Sequence, residues 1–282
     1  MNLKNAIDTL PSLKLTVEAH GLLAKKSLGQ NFLLDRNITD KIISLSLKKQ
    51  NLNDYTNCHI FEVGPGPGGL TRAVISNNPD KMTVIELDER CIQIMQDINS
   101  KTGNILEILN QDALKFNFSY PEDKEKHIVS NLPYNISVPL LTKWLSDISC
   151  YKSLTLMFQK EVADRIQAQT STKEYGRLSV LSQLQCKITR LIDLNPECFT
   201  PAPKIWSSVL LFQPLEKPLT KDEINKLEKL TTQAFSMRRK MIRQSLKSIK
   251  NLDSICEEID IKTTMRPEEI TPEQFLALSK KI

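Results

Sequence analysis

The sequence lacks the features that mark several classes of protein. None of its apolar runs approaches the roughly 20 residues of a membrane-spanning helix, and the densest run covers only residues 154–158. The stretch up to Pro11 has no apolar signal core and carries Asp8, so we expect neither a secretory signal nor an Arg-rich transit peptide. Internal repeats and low-complexity tracts are also missing. The 282 residues therefore predict a globular, cytoplasmic protein with one large domain or two unequal ones.

Cysteine and histidine occur without any metal-binding pattern. The six cysteines form no CxxC pair, and the three histidines are scattered at His20, His59 and His127. Structural zinc sites usually show closely spaced ligands. We therefore predict no metal, reduced and buried thiols as in cytosolic proteins, and no role for the histidines.

Positive charge is concentrated near the C-terminus. The net charge is only +5, but residues 238–250 contain six basic residues and no acidic residue. If this stretch is helical, Arg239, Arg243 and Lys247 share one face, beside an apolar stripe that starts at Phe235. A solvated helix face is the alternative interpretation. We predict a helix that docks on the sheet domain and presents these residues to phosphates.

Seven short apolar segments alternate with helical patterns and predict an α/β fold. The predicted strands cover residues 59–63, 82–87, 105–109, 127–130, 154–158, 188–194 and 208–212. Such alternation indicates a mainly parallel sheet with flanking helices. Only the proline-rich segment 195–206 joins the last two strands. It is too short for a helical crossover, so we expect an antiparallel end to the sheet.

The pattern changes after Pro214 and Pro218. From there on it indicates helices with capping signals, such as Thr220 followed three residues later by Glu223. We therefore predict a sheet domain over residues 1–213, in which 1–20 form a loose extension, and a helical domain over 214–282.

A glycine loop follows the first predicted strand of the sheet. Gly64, Gly66 and Gly69 have the GxGxxG spacing of dinucleotide-binding folds. Gly64, Gly66 and Gly68 after Glu62 instead have the spacing of S-adenosylmethionine-dependent enzymes. In either case the backbone approaches a ligand closely, next to the free N–H groups of a helix start. A tight turn without a ligand is the alternative.

Two further acids stand at the ends of predicted strands. Glu86 ends the second strand and can accept hydrogen bonds from both ribose hydroxyls of a nucleotide-like cofactor. Asp112 follows the third strand and can bind an adenine amino group. Each acid alone is a weak signal, but their shared position at successive strand ends predicts one cofactor site.

The fourth predicted strand ends in the motif Asn131-Leu132-Pro133-Tyr134, which matches the (D/N)-x-P-(Y/F) motif of amino-group methyltransferases. An adenine amine is a poor nucleophile, and two acceptors for its protons hold the nitrogen in line with a sulfonium methyl group. The Asn131 side-chain oxygen and a backbone carbonyl near Leu132 can be these acceptors. Pro133 fixes the backbone, and Tyr134 can stack on a flipped-out adenine. A surface turn is the alternative.

From about residue 24 onwards, the chain resembles the ribosomal RNA adenine N6,N6-dimethyltransferases, most closely those that modify 16S RNA. The matching segments, in family order, are residues 28–33, 61–71, 84–88, 111–113, 131–137, 159–162, 175–179, 199–209 and 238–240. The resemblance implies a Rossmann-like class I methyltransferase fold with a seven-stranded mixed sheet and a small C-terminal helical domain. It also implies dimethylation of two adjacent adenosines near the 3′ end of 16S RNA in the small ribosomal subunit or its precursor, and a role in subunit biogenesis.

The same resemblance assigns the site residues. S-adenosylmethionine, which leaves as S-adenosylhomocysteine, is expected to contact Asn31, Leu33, Gly64, Gly66, Glu86, Asp112 and Asn131. Asn131, Leu132, Pro133 and Tyr134 are expected to be catalytic. The residues expected to bind RNA are Phe199, as a second wall of the base pocket, and Arg238, Arg239, Lys240, Arg243 and Lys247, so residues 214–282 are expected to be an RNA-binding domain. A core phenylalanine before a turn is the alternative for Phe199. A monomer is expected. The pair Ile205-Trp206 departs from the family pattern of Val followed by a small or polar residue.

Other functions remain possible at this point. A 23S RNA methyltransferase of the macrolide-resistance type shares the glycine loop and the Asn-Leu-Pro-Tyr motif, although the stretch 175–179 favours the 16S type. A DNA adenine methylase is disfavoured because there is no additional target-recognition domain. A largely non-catalytic ribosome assembly factor is disfavoured by the intact motif. A nicotinamide oxidoreductase lacks a candidate acid for hydride transfer.

Overall fold

The computed structural model describes residues 2–22, 31–118 and 123–282. The helices are α1 (Leu3–Asp8), α2 (Leu13–Ala19), α3 (Arg36–Gln50), α4 (Gly69–Ile75), α5 (Glu89–Lys101), α6 (Tyr134–Ser146), α7 (Lys160–Ile166), α8 (Arg177–Gln185), α9 (Lys221–Ser236), α10 (Ile242–Ser245), α11 (Leu252–Glu258) and α12 (Pro272–Lys280). The strands are β1 (Phe32–Leu33), β2 (Cys58–Val63), β3 (Lys81–Glu86), β4 (Leu106–Asn110), β5 (Glu125–Asn131), β6 (Ser153–Gln159), β7 (Cys186–Leu194), β8 (Phe199–Thr200) and β9 (Ser207–Pro214).

Seven strands form one mixed sheet in the order β4-β3-β2-β5-β6-β9-β7. The first five of these pair in parallel, and β9 pairs antiparallel with β6. All six residues of β2 are buried, as expected for a strand that helices cover on both faces. The predicted α/β fold and the antiparallel end of the sheet are confirmed.

The sheet brings the predicted site together at one edge. Because β2, β3, β4 and β5 are parallel, the segments that follow their carboxyl ends lie next to one another. These segments carry the glycine loop, Glu86, Asp112 and Asn131. Gly64 and Asn131, which are 67 positions apart in the chain, thus come to the same edge through strand order alone.

The structure corrects the prediction that residues 1–20 are a loose extension. They contain α1 and α2, which are capped by the side chains of Asn2 and Ser12. Ile7 is buried in the core of the sheet unit, and Arg72 Nη1 donates to the Pro11 carbonyl over 2.6 Å. The helices are too short for a clear periodic pattern, so tertiary contacts rather than propensity hold them in place.

The described chain divides into two compact units. The first comprises residues 1–143, 150–160 and 189–212, and the second comprises 144–149, 161–188 and 213–282. The last segment of the second unit starts at residue 213. However, the second unit also contains α7 and α8, which the prediction placed in the sheet domain. Sequence order alone did not indicate this division. Residues 161–188 belong to the second unit, but they lie between two segments of the first unit, 150–160 and 189–212.

Aromatic rings form the centre of the second unit. Phe235 on α9 lies 6.1 Å from Tyr175 and 5.6 Å from Phe275, measured between ring centroids. The Tyr175 hydroxyl donates to the Ile270 carbonyl over 2.8 Å. The predicted cap of α9 is present, since Glu223 N donates to Thr220 Oγ1 over 3.3 Å. Tyr175 therefore has a structural role in this unit.

The basic segment 238–250 is not the continuous helix that was predicted. α9 ends at Ser236, and only Ile242–Ser245 is helical within the segment. The amides of Ile242 and Arg243 donate to the carbonyls of Met265 and Thr263, instead of to carbonyls four residues earlier. Arg239, Arg243 and Lys247 are exposed, but they do not lie on one helix face.

None of the helices in the described ranges has the length and apolar character that a bilayer crossing requires.

Candidate functional site

A cleft of about 420 Å³ lies at the carboxyl edge of the sheet. Ten residues predicted for the cofactor and catalytic sites line it: Asn31, Leu33, Gly64, Gly66, Glu86, Asp112, Asn131, Leu132, Pro133 and Tyr134. Of the predicted N-terminal motif 28–33, residues 28–30 lie outside the described part of the chain. The cleft has the size of a small-molecule site and gathers polar groups from four strand ends.

The glycine loop packs against the segment that carries Asn31 and Leu33. Gly66 has a φ of +55°, and a Cβ there would lie 3.0 Å from the Phe32 ring. A Cβ at Gly69 would lie 2.6 Å from the Leu33 carbonyl oxygen, closer than any real contact. Both positions therefore need glycine. This close approach holds residues 31–33 over the loop as one wall of the cleft.

The Glu86 carboxylate is held by backbone amides at the end of β3. Its Oε1 accepts hydrogen bonds from Leu87 N over 2.7 Å and from Asp88 N over 2.9 Å. Burial raises the pKa of Glu86 above its ordinary value, although these amides oppose the shift. The bonds fix the carboxylate at the mouth of the cleft, where it can accept hydrogen bonds from a ligand.

The loop that carries Asp112 is held by a lysine from α6. Lys143 Nζ donates to the carbonyls of Leu114 and Phe116 over 2.6 and 2.7 Å. Asp112 Oδ1 accepts from Leu114 N over 2.9 Å. The lysine and the backbone together fix the position of the Asp112 carboxylate in the cleft.

The motif 131–134 forms the turn from β5 into α6 and contacts the glycine loop. A Cβ at Gly64 would lie 3.4 Å from Pro133 Cδ, so the two loops are in van der Waals contact. Asn131 Nδ2 donates to the Asn31 carbonyl over 3.3 Å. Because this bond uses the amide nitrogen, the side-chain oxygen of Asn131 is the atom that can accept a hydrogen bond from a ligand.

Tyr134 is anchored by a residue that was not predicted. Its hydroxyl lies 2.7 Å from Ser207 Oγ at the start of β9, and Ser207 is fully buried. Burial raises the pKa of Tyr134, so the phenol is neutral at physiological pH. The hydrogen bond fixes the ring of Tyr134 in the cleft.

The predicted RNA-binding residues are not all brought to the cleft. Phe199 is 3% exposed and belongs to the core cluster of the sheet unit, which agrees with the alternative of a core phenylalanine. Arg238 Nε donates to Glu268 over 2.9 Å, and its Nη2 donates to the Thr172 carbonyl. Arg239, Lys240, Arg243 and Lys247 are exposed in the second unit.

Several residues that line the cleft were not predicted as site residues: Phe32, Glu62, Pro65, Pro67, Gly69, Leu70, Leu87, Asp88, Leu114, Asn135 and Ile136. Leu87 and Leu114 are 64% and 38% exposed, so part of the cleft lining is apolar and open to solvent. Each follows a predicted acid by one or two positions. A leucine one or two positions after such an acid is therefore the signal that could have identified them.

Glu62 is a buried acid at the floor of the cleft, and we predict that it makes stability depend on pH. Burial raises its pKa from 4.5 to about 8, although Thr71 Oγ1 donates to it over 2.6 Å. The folded chain thus keeps a proton that the unfolded chain loses above about pH 4.3. The free energy of unfolding should fall by up to roughly 1.4 kcal/mol per pH unit between about pH 5 and 8.

Glu62→Gln should remove this slope, because glutamine does not titrate. Urea unfolding of the ligand-free protein at several pH values measures it, with the exposed Glu89→Gln as the control. Parallel pH profiles for wild type and Glu62→Gln would contradict the assignment.

A second group of polar side chains lies at the amino ends of β2 and β5. Potential metal ligands of Cys58, Glu125 and His127 lie within 4.8 Å of one another. Glu125 is exposed and pairs with Lys152 over 3.1 Å. Sequence spacing missed this group because strand pairing brings Cys58 opposite Glu125. The group lies at the opposite edge of the sheet from the cleft.

Comparison with known sequences matches residues 21–282 to the family described as "Ribosomal RNA adenine dimethylase". Two curated relatives are named "Ribosomal RNA small subunit methyltransferase A". The one from Cereibacter sphaeroides is 44% identical and covers 98% of this chain and 99% of its own length. The one from Mesorhizobium japonicum is 43% identical and covers 98% and 100%.

Two solved structures share the architecture. A dimethyladenosine transferase from Plasmodium falciparum has 26% identity and a TM-score of 0.73, and covers 86% of this chain and 94% of its own. The 23S rRNA methyltransferase ErmE has 22% identity and a TM-score of 0.66, and covers 89% and 99%. At 22% identity, the similarity to ErmE shows a shared fold and nothing about activity.

Proposed function

Because the chain belongs to the ribosomal RNA adenine dimethylase family, we propose that it methylates the N6 amino groups of two adjacent adenosines near the 3′ end of 16S ribosomal RNA. As a member of that family, it is a methyltransferase that uses S-adenosylmethionine. One observation supports the adenine N6 atom as the methyl acceptor. The turn Asn131-Leu132-Pro133-Tyr134 lines the same cleft as the glycine loop, Glu86 and Asp112.

The residues of the cleft fit the methyl donor. Gly66 lets the backbone approach a ligand, and the Glu86 carboxylate is placed for two ribose hydroxyls. Asp112 is placed for the adenine amino group, and the exposed apolar side chains of Leu87 and Leu114 flank the space for the ring. Asn31 and Leu33 form the wall toward the methionine end. When bound, S-adenosylmethionine supplies an electrophilic methyl group on a sulfonium.

The chain's own groups prepare the adenine amine. The Asn131 side-chain oxygen accepts a hydrogen bond from one N–H of the amine, and a backbone carbonyl near Leu132 accepts a hydrogen bond from the other. Two such bonds favour tetrahedral geometry at the nitrogen and orient its lone pair. Pro133 fixes the turn, and the ring of Tyr134 stacks on the flipped-out base. Ser207 holds that ring through its hydroxyl.

The proposed substrate is the small subunit rather than the large one. Relatives that are 39% to 44% identical over nearly the whole chain are named as small-subunit enzymes. The experiment measures transfer of labelled methyl groups from S-adenosylmethionine to under-methylated small subunits. Large subunits, naked RNA and DNA are assayed in parallel as comparison substrates. Label on small subunits alone is expected, and label on large subunits would replace the proposal with the resistance-type function.

Cytoplasm is the proposed location, because bacterial ribosomal subunits are assembled there and the curated relatives are bacterial. The proposed partner is the small subunit or its precursor, and the proposed oligomeric state is a monomer.

Removal of the Tyr134–Ser207 hydrogen bond should weaken substrate binding moderately. Tyr134→Phe and Ser207→Ala should each lower kcat/KM for small subunits about threefold to tenfold, the usual effect of one neutral hydrogen bond. The double variant should be no worse than either single variant, since both remove the same bond. Ser208→Ala is the matched control, because Ser208 donates to Asp193 instead. Additive losses in the double variant would show that the bond has no role.

Charge reversal in the basic segment should weaken binding to small subunits. Arg239, Arg243 and Lys247 are exposed cations suited to phosphates, and changing all three to Glu should lower affinity at least about tenfold. The dependence of affinity on salt should become shallower, because fewer counterions are released. Reversal of the exposed Lys14, Lys48 and Lys101 is the control. Equal losses in the two triple variants would indicate an effect of net charge alone.

A further inference from the structure

The loop 201–206 joins two walls of the cleft. At its start, β8 pairs antiparallel with β1, which forms the wall over the glycine loop. At its end, Ser207 contacts the Tyr134 hydroxyl over 2.7 Å. Because β9 starts opposite Gln159, at the carboxyl end of β6, the loop lies at the sheet edge that carries the methyl-transfer motif.

The loop ends in two exposed apolar residues. Trp206 is 50% exposed and Ile205 is 41% exposed, whereas the other tryptophan, Trp144, is fully buried. Aromatic side chains are usually buried because of their large apolar area. Here the exposed ring follows the exposed cation Lys204 by two residues. An exposed aromatic side chain near a cation is typical of surfaces that stack unpaired nucleobases.

The backbone that follows the Trp206 side chain is fixed. Its carbonyl accepts from Lys160 N over 2.8 Å, and the next residue, Ser207, pairs with Gln159 in the sheet. An aromatic side chain on a fixed backbone loses little conformational freedom when a ligand binds. The position therefore favours a preformed contact over an adventitious one.

We propose that Trp206 stacks on an unpaired base of the substrate RNA next to the adenosine that occupies the cleft. This inference rests on the proposed function and adds a binding site for a second nucleobase. Ser207 separates the two aromatic residues, with Tyr134 facing the target base and Trp206 at the surface. Since the proposed target is a pair of adjacent adenosines, one base stacks on Trp206 while the other is methylated.

Kinetics with under-methylated small subunits test the stacking role. Trp206→Ala should raise KM about 5- to 150-fold, the range for loss of one stacked base, with a smaller change in kcat. Trp206→Phe should keep most of the affinity, because its ring still stacks. Leu15→Ala removes an apolar side chain of similar exposure (57%) on α2 and is the control. A KM for Trp206→Ala within about twofold of wild type would overturn the proposal.

The fluorescence of Trp206 distinguishes stacking on RNA from a purely structural role of this side chain. Only Trp206 of the two tryptophans is exposed, so quenching by acrylamide reports on its ring. A single-stranded RNA oligonucleotide with two adjacent adenosines should protect wild type from quenching. Binding of that RNA, seen by anisotropy, without protection would contradict stacking. If wild type methylates no subunits, the proposed function fails, whereas normal methylation with unchanged KM in Trp206→Ala contradicts only the stacking role.

Discussion

Replacement of Asn131 by alanine is expected to lower kcat for methyl transfer to small subunits about 10²- to 10³-fold. In the proposed function the side-chain oxygen of Asn131 accepts a hydrogen bond from the reacting amine, and loss of one oriented polar group at a reaction centre has an effect of this size. The variant also loses the bond from Nδ2 to the Asn31 carbonyl, which orients that oxygen. Single-turnover methyl transfer at saturating donor measures the effect.

Two further substitutions distinguish loss of the hydrogen-bond acceptor from a general effect on folding. Asn131→Asp keeps the oxygen acceptors and should retain more activity than Asn131→Ala. Asn225→Ala changes an exposed position on α9 and should behave as wild type. If Asn131→Ala turned over within about threefold of wild type, the assignment of the acceptor would be wrong.

Replacement of Glu86 by alanine is expected to weaken S-adenosylmethionine binding about 100-fold. In the proposed function Glu86 binds the two ribose hydroxyls, and hydrogen bonds to a charged acceptor contribute about 1.5–3 kcal/mol each. The variant also removes the acceptor for the amides of Leu87 and Asp88, which form part of the cleft. Isothermal titration with the donor in the absence of RNA measures the affinity.

The glutamine variant separates these two effects. Glu86→Gln keeps an oxygen for the backbone amides but lacks the charge, so it should bind the donor with intermediate affinity. Glu89→Ala, at the exposed start of α5, is the control. Donor affinity in Glu86→Ala within about threefold of wild type would contradict the placement of the ribose.

The sheet and the cleft could be predicted because their signals are local. Buried parallel strands are continuous apolar runs, and each predicted strand overlaps an observed one. The glycine loop, Glu86, Asp112 and Asn131 follow such runs directly, so the rule for parallel sheets was sufficient to bring them together. These residues do line one cleft.

Features that depend on long-range contacts could not be predicted. The basic segment has a helical pattern, but the amides of Ile242 and Arg243 bond to a segment about 20 residues further along the chain. Ser207 contacts Tyr134 across 73 positions, which no spacing rule reveals. The burial of Phe199 follows from the pairing of β8 with β1, two strands too short to be recognised from their sequence.

The most direct test of the central claim is to map the product on the RNA. Under-methylated small subunits are incubated with the donor and the wild-type protein, and their RNA is analysed by reverse transcription and by mass spectrometry of nucleosides. We predict N6,N6-dimethyladenosine at two adjacent positions near the 3′ end of 16S RNA, absent with Asn131→Ala. Dimethyladenosine elsewhere, or an unmodified 3′ end under donor saturation, would contradict the account.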